Sequence, residues 1–436
     1  MNGFLVLIAL AQWQVIVLDP QGYWPIGFFL REGRWPVVIG EDKLYKYEGT
    51  WPWTIKDLPV DEPGVSGNGF AMDGNGNIHV ARVKGYFPGD PQDSVLEYVE
   101  DGSSWQRFAY PEPDGFTIQE GIPVSITIKG DTSFMFYTTY GSWCSMKMLW
   151  RANDSWGLDT VIQPSLAYVF NPDAQVDSSG SLWVFYHQYR SGSHTACCAH
   201  QDGGSWIVET VEDVPSTFYF TPGPWLTIRG TAFALYAPTG ATKQEPDDTL
   251  RFAWRRADGT WHFEKLREFG VRGLGVDAGG LVHGLAAFRE DSYAHHVVRD
   301  TAKPRWDTLE VVDSVNGIVS LDSFNGLWFG GYMLVDADGF LHATYQGRNG
   351  YYLCYATTRP DVRVFESSSE PEPSLVLISA PSGFWITGYS GEARIYDPAG
   401  RLVLAREING KTLINPLKPG VYFVVAGKER ARIAVR

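Results

Sequence analysis

The chain has 436 residues, of which 44% are hydrophobic and 14% aromatic, and its formal net charge at pH 7 is −14. This charge argues against a nucleic-acid backbone or an anionic membrane surface as the partner, because both are negative as well. Short runs rich in valine and aromatic residues lie between frequent glycines and prolines, and no long stretch keeps a helical apolar period. The sequence therefore predicts an almost entirely β protein without a membrane span.

The N-terminal segment reads MNGFLVLIALAQWQ and combines a short apolar run with a cleavage-like pattern. Residues 4–10 are apolar, and Ala9-Leu10-Ala11 matches the small-x-small rule of signal peptidase. We therefore predict a signal peptide over residues 1–11. No lysine or arginine precedes the apolar run, so two alternatives stay open: a first β-strand, or a start codon assigned too far downstream.

A tryptophan-containing phrase recurs along the chain, as in EDGSSWQRFAY around Trp105 and QDGGSWIVETV around Trp206. The other copies surround Trp53 (with Trp51), Trp156, Trp261 and Trp306. Successive copies lie about 50 residues apart, a period typical of propeller blades. Each period holds four short strands, a to d, so we predict a β-propeller over residues 12–360.

The number of blades depends on how the N-terminal strands are assigned. If residues 51–58 supply the d strand of the last blade, the ring has six blades and is closed by pairing of strands from its two ends. Residues 34–49, RWPVVIGEDKLYKYEG, hold further strands and would make the ring seven-bladed. Six blades is the favoured prediction and seven is the alternative.

The segment VDADGFLHATYQ, residues 335–346, places Asp336, Asp338 and Gly339 at a spacing similar to that of a calcium loop. Related phrases occur at other a–b connections, but two blades keep only a glycine there, Gly130 or Gly230. A metal ligand set would not tolerate that loss, whereas a tight hairpin turn needs only the glycine. We therefore predict turns at these positions, no metal site and no cofactor.

The c–d connection, Asp-Gly-x-Ser/Thr-Trp, resembles the Asp-box hairpin of sialidase-like β-propellers, although the leading serine is missing. The resemblance implies that Asp101, Asp202 and Asp258 tie the turn and that the following tryptophan packs between blades. A sialidase also needs a central arginine cluster, and the candidate arginines here fall at unlike blade positions. The resemblance therefore predicts the fold and leaves sialidase activity unsupported.

The two faces of the predicted disc carry different connections. The a–b and c–d turns are short and repetitive, whereas the b–c and d–a connections are long and individual. The face formed by the b–c and d–a connections, hereafter the loop face, is therefore the predicted binding surface. Its aromatic rings suit stacking against sugars, although single rings could instead only fill gaps between loops. The predicted ligand-binding residues are Tyr140, Trp143, Tyr189, Arg190, His194, Tyr219, Trp225 and Trp328.

The segment YHQYRSGSH gathers His187, Tyr189, Arg190 and His194 in one b–c connection. A histidine or tyrosine could abstract the proton α to a uronate carboxylate while the arginine neutralises the developing charge. His187, Tyr189 and Arg190 are therefore candidate catalytic residues of a polysaccharide lyase. Ligand contacts without catalysis, and ordinary loop polarity, are the alternatives.

Several other histidines and the cysteines have structural interpretations. Equivalent b-strand positions carry His79, His283 and His342. We expect these histidines to bond backbone atoms across blades. No zinc-ligand spacing occurs among the four cysteines, Cys144, Cys197, Cys198 and Cys354. Buried free thiols are the favoured interpretation, and a disulfide is the alternative.

The repeat stops at a Ser/Glu/Pro-rich segment, residues 361–374, which has the composition of a linker. Beyond it, ARIYDPAGRLV (393–403), LKPGVYFVV (417–425) and a final RARIAVR resemble the C-terminal sorting domain of the type IX secretion system. The resemblance covers residues 375–436. It implies a small β-sandwich, export across a bacterial outer membrane, and the secretion machinery as a partner.

Together these features predict a secreted or cell-surface β-propeller that binds an extracellular ligand through its loop face, with carbohydrate as the favoured ligand class. One alternative is an enzyme of the same location, a polysaccharide lyase or a glycoside hydrolase. Another is a protein-interaction platform in a surface assembly.

Overall fold

The computed structural model divides the chain into two compact units, Met1–Phe365 and Glu366–Arg436. The predicted signal peptide lies outside the described residues, as does the predicted linker beyond residue 362. The described residues are 13–19, 25–40, 42–49, 52–59, 65–85, 93–112, 117–118, 124–140, 144–153, 155–165, 167–190, 193–214, 218–228, 231–240, 250–256, 258–266, 269–288, 293–300, 306–314, 331–347, 352–362, 376–380, 383–397, 401–415, 418, 420–426 and 429–435.

The described part of the first unit consists of antiparallel sheets, one per blade, that follow one another along the chain. The first strand is β1 (Gln14–Asp19). Blade 1 contains β2 (Gly27–Arg31), β3 (Trp35–Ile39), β4 (Lys43–Lys46) and β5 (Thr54–Asp57). Blade 2 contains β6 (Val65–Met72), β7 (Ile78–Lys84), β8 (Ser94–Asp101) and β9 (Ser104–Pro111). Blade 3 contains β10 (Thr117–Ile118), β11 (Ser125–Lys129), β12 (Thr132–Tyr140), β13 (Cys144–Ala152) and β14 (Ser155–Ser165).

The remaining blades repeat this order. Blade 4 contains β15 (Tyr168–Val176), β16 (Leu182–Arg190), β17 (Ser193–Asp202) and β18 (Ser205–Val214). Blade 5 contains β19 (Phe218–Ile228), β20 (Thr231–Gly240), β21 (Leu250–Arg255) and β22 (Trp261–Leu266). Blade 6 contains β23 (Phe269–Val276), β24 (Val282–Phe288), β25 (Ala294–Arg299) and β26 (Trp306–Asp313). Blade 7 contains β27 (Gly331–Val335), β28 (Leu341–Gln346) and β29 (Leu353–Thr357), and β1 completes it.

The blades close into a ring, because each a strand contacts the a strands on both sides and β27 returns to β2. Seven sheets are present among the described residues of this unit, so the favoured prediction of six blades is wrong and the alternative of seven is confirmed. Residues 27–57 form a complete blade of their own, and Thr54–Asp57 is its d strand. The strand that closes the ring is β1, where Ile16 pairs with Tyr355.

The hydrophobic core lies between blades. Trp183 and Phe185 of blade 4, for example, pack with Ala232, Ala234 and Ala253 of blade 5. Alternate residues of the central strands enter the two neighbouring crevices, so both faces of each blade are buried, and long apolar runs result. This explains why the sequence reads as short apolar strands with little polar alternation.

The acidic residues of the a–b connections cap tight turns, as predicted. Oδ1 of Asp177 accepts bonds from the backbone N–H groups of Ser179 and Ser181, at 2.8 and 2.9 Å. In the equivalent turn, Oδ1 of Asp336 accepts from Asp338 and Phe340 in the same way. Such side-chain-to-backbone bonds are the ordinary role of aspartate in a turn.

The second oxygen of each turn aspartate approaches the residue six positions later. It lies 3.1 Å from His342 Nε2 in the Asp336 turn and 3.4 Å from His283 Nε2 in the Asp277 turn. The expectation that these histidines bond backbone atoms across blades is therefore wrong. Their shortest described contacts are to side chains of their own blade: Glu97 at 2.8 Å for His79, His296 at 2.9 Å for His283, and the Tyr355 hydroxyl at 2.6 Å for His342. These histidines have a structural role, because the carboxylate of the a–b turn also lies close to the b-strand position that they occupy.

The repeated tryptophan joins neighbouring blades, as predicted. Trp261 Nε1 donates to Glu209 of the preceding blade at 2.8 Å, and Trp306 Nε1 donates to Glu264 at 2.8 Å. Arg255, the strand partner of Trp261 in blade 5, also donates to Glu209, with bonds of 2.7 and 2.8 Å. The c–d repeat is therefore a device for blade-to-blade attachment.

The four cysteines are buried and form no disulfide, so the interpretation as thiols is confirmed and the disulfide alternative is wrong. Burial raises the pKa of Cys197 and of Cys354 to about 12. Buried thiols of this kind are chemically inert.

The second unit is a five-stranded antiparallel sheet. Its strands are β30 (Val376–Ala380), β31 (Gly383–Tyr396), β32 (Leu402–Ile414), β33 (Gly420–Ala426) and β34 (Glu429–Val435). The long strand β31 pairs with β30 at its start and with β33 at its end. Phe384 and Ile395, from the two ends of β31, share one apolar core, so the sheet folds over itself.

Candidate functional site

The structure describes the side chains of four residues of the predicted site, namely His187, Tyr189, Arg190 and His194. Trp143 and Trp328 lie outside the described residues. The backbones of Tyr140, Tyr219 and Trp225 lie in strands, and their side chains are outside the description. The segment 187–194 was predicted as a long connection, but β16 continues to Arg190 and β17 begins at Ser193.

This extended hairpin brings two histidines and a tyrosine together at the loop-face end of blade 4. Tyr189 pairs directly with His194 across the two strands, and their ring centroids are 4.4 Å apart. His187 lies two residues earlier on the same side of β16, and its Nε2 is 2.8 Å from Nδ1 of His194. Arg190 follows at the exposed end of the strand. Three of the predicted side chains, His187, Tyr189 and His194, therefore lie against one another.

Two aromatic residues of β15 complete the group; the sequence prediction placed them on the loop face but did not include them among the ligand-binding residues. Tyr168 pairs with Tyr189 at a ring distance of 6.1 Å, and Phe170 pairs with His187 at 5.6 Å. The rings of Tyr168 and Phe170 are nearly parallel, 6.0 Å apart. Tyr168, Phe170, His187, Tyr189 and His194 are hereafter the blade 4 cluster. The sequence does contain a signal for them, because ring side chains lie two residues apart in both strands: Tyr168 and Phe170 in β15, His187 and Tyr189 in β16.

A bulge in β15 ends the regular pairing just below the cluster. The register shifts between Phe170 and Asp173, and Asn171 has a φ of 51°. Asparagine tolerates this left-handed conformation better than most residues. Bulges bend a strand and redirect its side chains, and they occur often beside binding sites. The bulge separates residues 173–176 of β15 from the half of the strand that carries Tyr168 and Phe170.

The two imidazoles of the cluster are neutral near pH 7. Burial, together with the smaller effect of the neighbouring His194, lowers the pKa of His187 to about 3. Burial also lowers the pKa of His194. One ring therefore donates an N–H to the other's lone pair, and the pair offers polar atoms without carrying a positive charge.

The cluster faces the crevice between blades 4 and 5. Phe185, on the same side of β16 as His187, packs against alanines of blade 5. In the same crevice, Nε of the buried Arg251 lies 3.4 Å from both carboxylate oxygens of Glu212. This ion pair joins blades 4 and 5, so these two charged groups stabilise the interface between the blades.

Buried carboxylates near the loop face of other crevices are also bonded across blades. Asp19 accepts the Tyr45 hydroxyl at 2.6 Å, and Asp313 accepts the Tyr345 hydroxyl at 2.7 Å. Glu112 accepts both the Tyr137 hydroxyl and the Lys147 ammonium group. These acids therefore hold neighbouring blades together. No described pair of carboxylates stands out as the acid and base of a glycosidase.

Within the described ranges, no group of three or more histidine, cysteine, aspartate or glutamate side chains is arranged to hold a metal ion. The same ranges contain no helix that is long and apolar enough to cross a membrane.

The sequence matches no known family model and no curated protein. Solved structures do match. The polysaccharide lyase Uly1 is 9% identical with a TM-score of 0.49, over 78% of this chain and 90% of that chain. An α-L-arabinanase from Penicillium chrysogenum, complexed with arabinobiose, is 12% identical with a TM-score of 0.42, over 70% of this chain and 96% of that chain. A Trypanosoma rangeli sialidase is 10% identical with a TM-score of 0.40, over 97% of this chain and 88% of that chain. At these identities and TM-scores, the similarity carries no conclusion about what this chain binds or does.

Proposed function

We propose that this protein is a secreted or cell-surface propeller that binds a carbohydrate at its loop face, and that the blade 4 cluster contacts the ligand. The observation that carries the proposal is the convergence of five rings at the loop-face end of three adjacent strands, β15, β16 and β17. Tyr168 and Tyr189 lie side by side there and stay half-buried. Half-exposed tyrosines offer an apolar ring face to sugar C–H groups and a hydroxyl to sugar oxygens.

The polar groups around the rings suit the same ligand. The neutral His187–His194 pair supplies hydrogen-bonding atoms, and Arg190 supplies an exposed cation beside them. Among the described residues, neither the Arg190 guanidinium nor the Tyr189 hydroxyl has a hydrogen-bond partner, so both are available to a ligand. The other predicted contacts, Tyr140, Trp143, Tyr219, Trp225 and Trp328, belong to the same proposal.

The state of His187 favours binding over proton abstraction. A general base works best when its pKa lies near the working pH. His187 is buried, its Nε2 is bonded to His194, and burial lowers its pKa to about 3. These properties count against His187 as the base of a polysaccharide lyase.

A glycan array probed with the full chain tests the proposal. We expect a defined set of glycans to bind the wild-type protein, and the Tyr189→Ala variant to lose about ten-fold in affinity, equivalent to about 1.4 kcal/mol. Phe263→Ala is the matched control, because Phe263 is an exposed aromatic on the outer strand of blade 5. Failure of the wild type to bind any glycan, or equal binding by Tyr189→Ala, would overturn it.

The enzyme and protein-platform alternatives have separate readouts. Incubating the wild-type chain with uronate polymers and following the ultraviolet absorbance of an unsaturated product tests the lyase. Product formed by wild type and lost in His187→Ala would favour the lyase over binding alone. Capture of a protein partner that Tyr189→Ala does not release, with no glycan bound, would favour the platform.

We further propose that residues 375–436 are a sorting domain read by the type IX secretion machinery. The bonds between Asp397 and Arg401, the described ends of the DPAGR motif, support this proposal. Asp397 accepts from the Arg401 backbone N–H at 3.0 Å and from its Nε at 2.8 Å, and the Arg401 side chain stays 81% exposed. Gly420–Ala426 and Glu429–Val435, which carry the other two motifs, are adjacent paired strands.

Expression in a bacterium that has this secretion system tests the sorting proposal. The full chain is expected outside the cells, and a chain lacking residues 375–436 is expected to stay in the periplasm. Equal export of both chains would contradict the proposal without affecting carbohydrate binding.

A further inference from the structure

A second group of aromatic and imidazole rings lies at the loop-face end of blade 6. Phe288 ends β24, and Tyr293 immediately precedes β25, which carries His295. The ring centroid of His295 is 4.6 Å from that of Phe288 and 6.2 Å from that of Tyr293. His295 is buried, whereas Tyr293 is 39% exposed. Phe288, Tyr293 and His295 are hereafter the blade 6 cluster.

The two clusters occupy corresponding positions in their blades. Each lies where the b strand ends and the c strand begins. His295 pairs with Ala286, so Phe288 lies two residues further toward the loop face. Counted from the equivalent a–b pairs Val276–Val282 and Val176–Leu182, Phe288 corresponds to Gln188, one residue short of the level of Tyr189. In both blades an aromatic ring at the end of the b strand lies above a buried imidazole, His187 in one and His295 in the other.

The two clusters also face the same blade from opposite sides. Phe185, on the His187 side of blade 4, packs against Ala232 and Ala234 of blade 5. Ala286 of blade 6, on the Phe288 side of β24, packs with Phe233 of blade 5. Because side chains alternate along a strand, the blade 4 cluster enters the crevice before blade 5 and the blade 6 cluster enters the crevice after it.

From this arrangement we infer that the loop face has two sugar-binding subsites, one on each side of blade 5, and that the ligand is an oligosaccharide or polysaccharide chain that crosses the end of this blade. The inference rests on the proposed function and specifies its ligand. Packed sheets lie about 10 Å apart, so the two crevices are separated by more than the width of one sugar ring. A monosaccharide can occupy one cluster, and a chain of several sugars is needed to contact both.

Calorimetric titration of the full chain with two length series tests the inference. The probes are oligogalacturonides and cello-oligosaccharides, each from the monosaccharide to the hexasaccharide. In whichever series binds, we expect the affinity of the wild-type chain to rise at least about ten-fold from the monosaccharide to the hexasaccharide. Tyr293→Ala should lower the affinity for the hexasaccharide about ten-fold and leave the affinity for the monosaccharide unchanged. Tyr189→Ala should lower both affinities.

Two controls make the result interpretable. Phe263→Ala, an exposed aromatic on the outer strand of the blade between the clusters, is expected to bind as wild type does. Phe288→Leu keeps an apolar side chain at the crevice and provides a second variant of the blade 6 cluster. Affinity independent of length, or a wild-type response from both Tyr293→Ala and Phe288→Leu, would overturn the second subsite and leave the proposed function standing. A wild-type chain that binds no saccharide, here or on the array, would contradict the proposed function itself.

Discussion

The Nε2 atom of His187 lies 2.8 Å from Nδ1 of His194, and both imidazoles are buried beside Tyr189. A hydrogen bond between two imidazoles requires a proton on one nitrogen and a lone pair on the other. Protonation of both rings would remove the lone pair and place two positive charges in contact. The pair therefore couples the integrity of the candidate site to pH.

We predict that acid destabilises the propeller partly through His187. Burial holds its folded-state pKa at about 3, below the unfolded value of about 6.5. Between these values the unfolded chain binds a proton that the folded chain does not, so the stability is complete above about pH 6.5 and falls as the pH drops toward 3. Thermal unfolding between pH 7.5 and 4.5 measures this loss.

The matched variants for this prediction are His187→Gln and Gln188→Ala. His187→Gln should lose less stability per pH unit than wild type, because one titrating group is gone. Gln188→Ala, next to it on β16, removes no titrating group and should keep the wild-type slope. An unchanged slope in His187→Gln would show that the imidazole pair is not the acid-sensitive element.

The repeated tryptophan gives a second prediction. Trp261→Phe keeps an aromatic ring between blades 4 and 5 but removes the N–H that donates to Glu209. A hydrogen bond to a charged group contributes about 1.5–3 kcal/mol, so the free energy of unfolding should fall by about that amount. Trp156→Phe is the control, since Trp156 is 44% exposed and its indole N–H has no described partner. Chemical denaturation should separate the two variants, and equal effects would refute the attachment role.

The turn aspartates give a third prediction, which separates turns from metal sites. Asp336→Asn should lower the free energy of unfolding by about 1.5–3 kcal/mol, because it weakens a buried ion pair with Arg359. Arg359 keeps Asp338 and Asp361 as partners in this variant. Asp277→Asn, in a more exposed turn, should lower the free energy of unfolding by about 0.5 kcal/mol or less, since the asparagine amide oxygen still accepts the Leu281 N–H. Addition of calcium should leave the melting temperature of the wild-type chain unchanged, and a rise that Asp336→Asn abolishes would restore the metal interpretation.

The sequence predicted the repeat and its turns because their chemistry is local. An aspartate that caps a turn, such as Asp177, and a tryptophan such as Trp261 recur in several periods regardless of the rest of the chain. The blade count was wrong because it depends on a non-local choice. Only the pairing of β1 with β29, far along the chain, decides which N-terminal strand closes the ring.

The candidate site was predictable in part for the same reason. His187, Tyr189 and His194 are close because a short hairpin joins them, and the sequence contains that proximity. The contribution of Tyr168 depends on its register with β16, and the role of Phe288 depends on which crevice β24 faces. Local composition indicates neither how two strands are aligned nor which of the two neighbouring crevices a side chain enters.

The most direct test of the account is hydrogen–deuterium exchange of the full chain with and without a glycan that binds it. Loop-face binding predicts slower exchange in peptides that cover residues 168–170 and 187–194, and unchanged exchange in the a–b turns at 73–77, 277–281 and 336–340. Protection confined to those turns, or to residues 376–435, would contradict it.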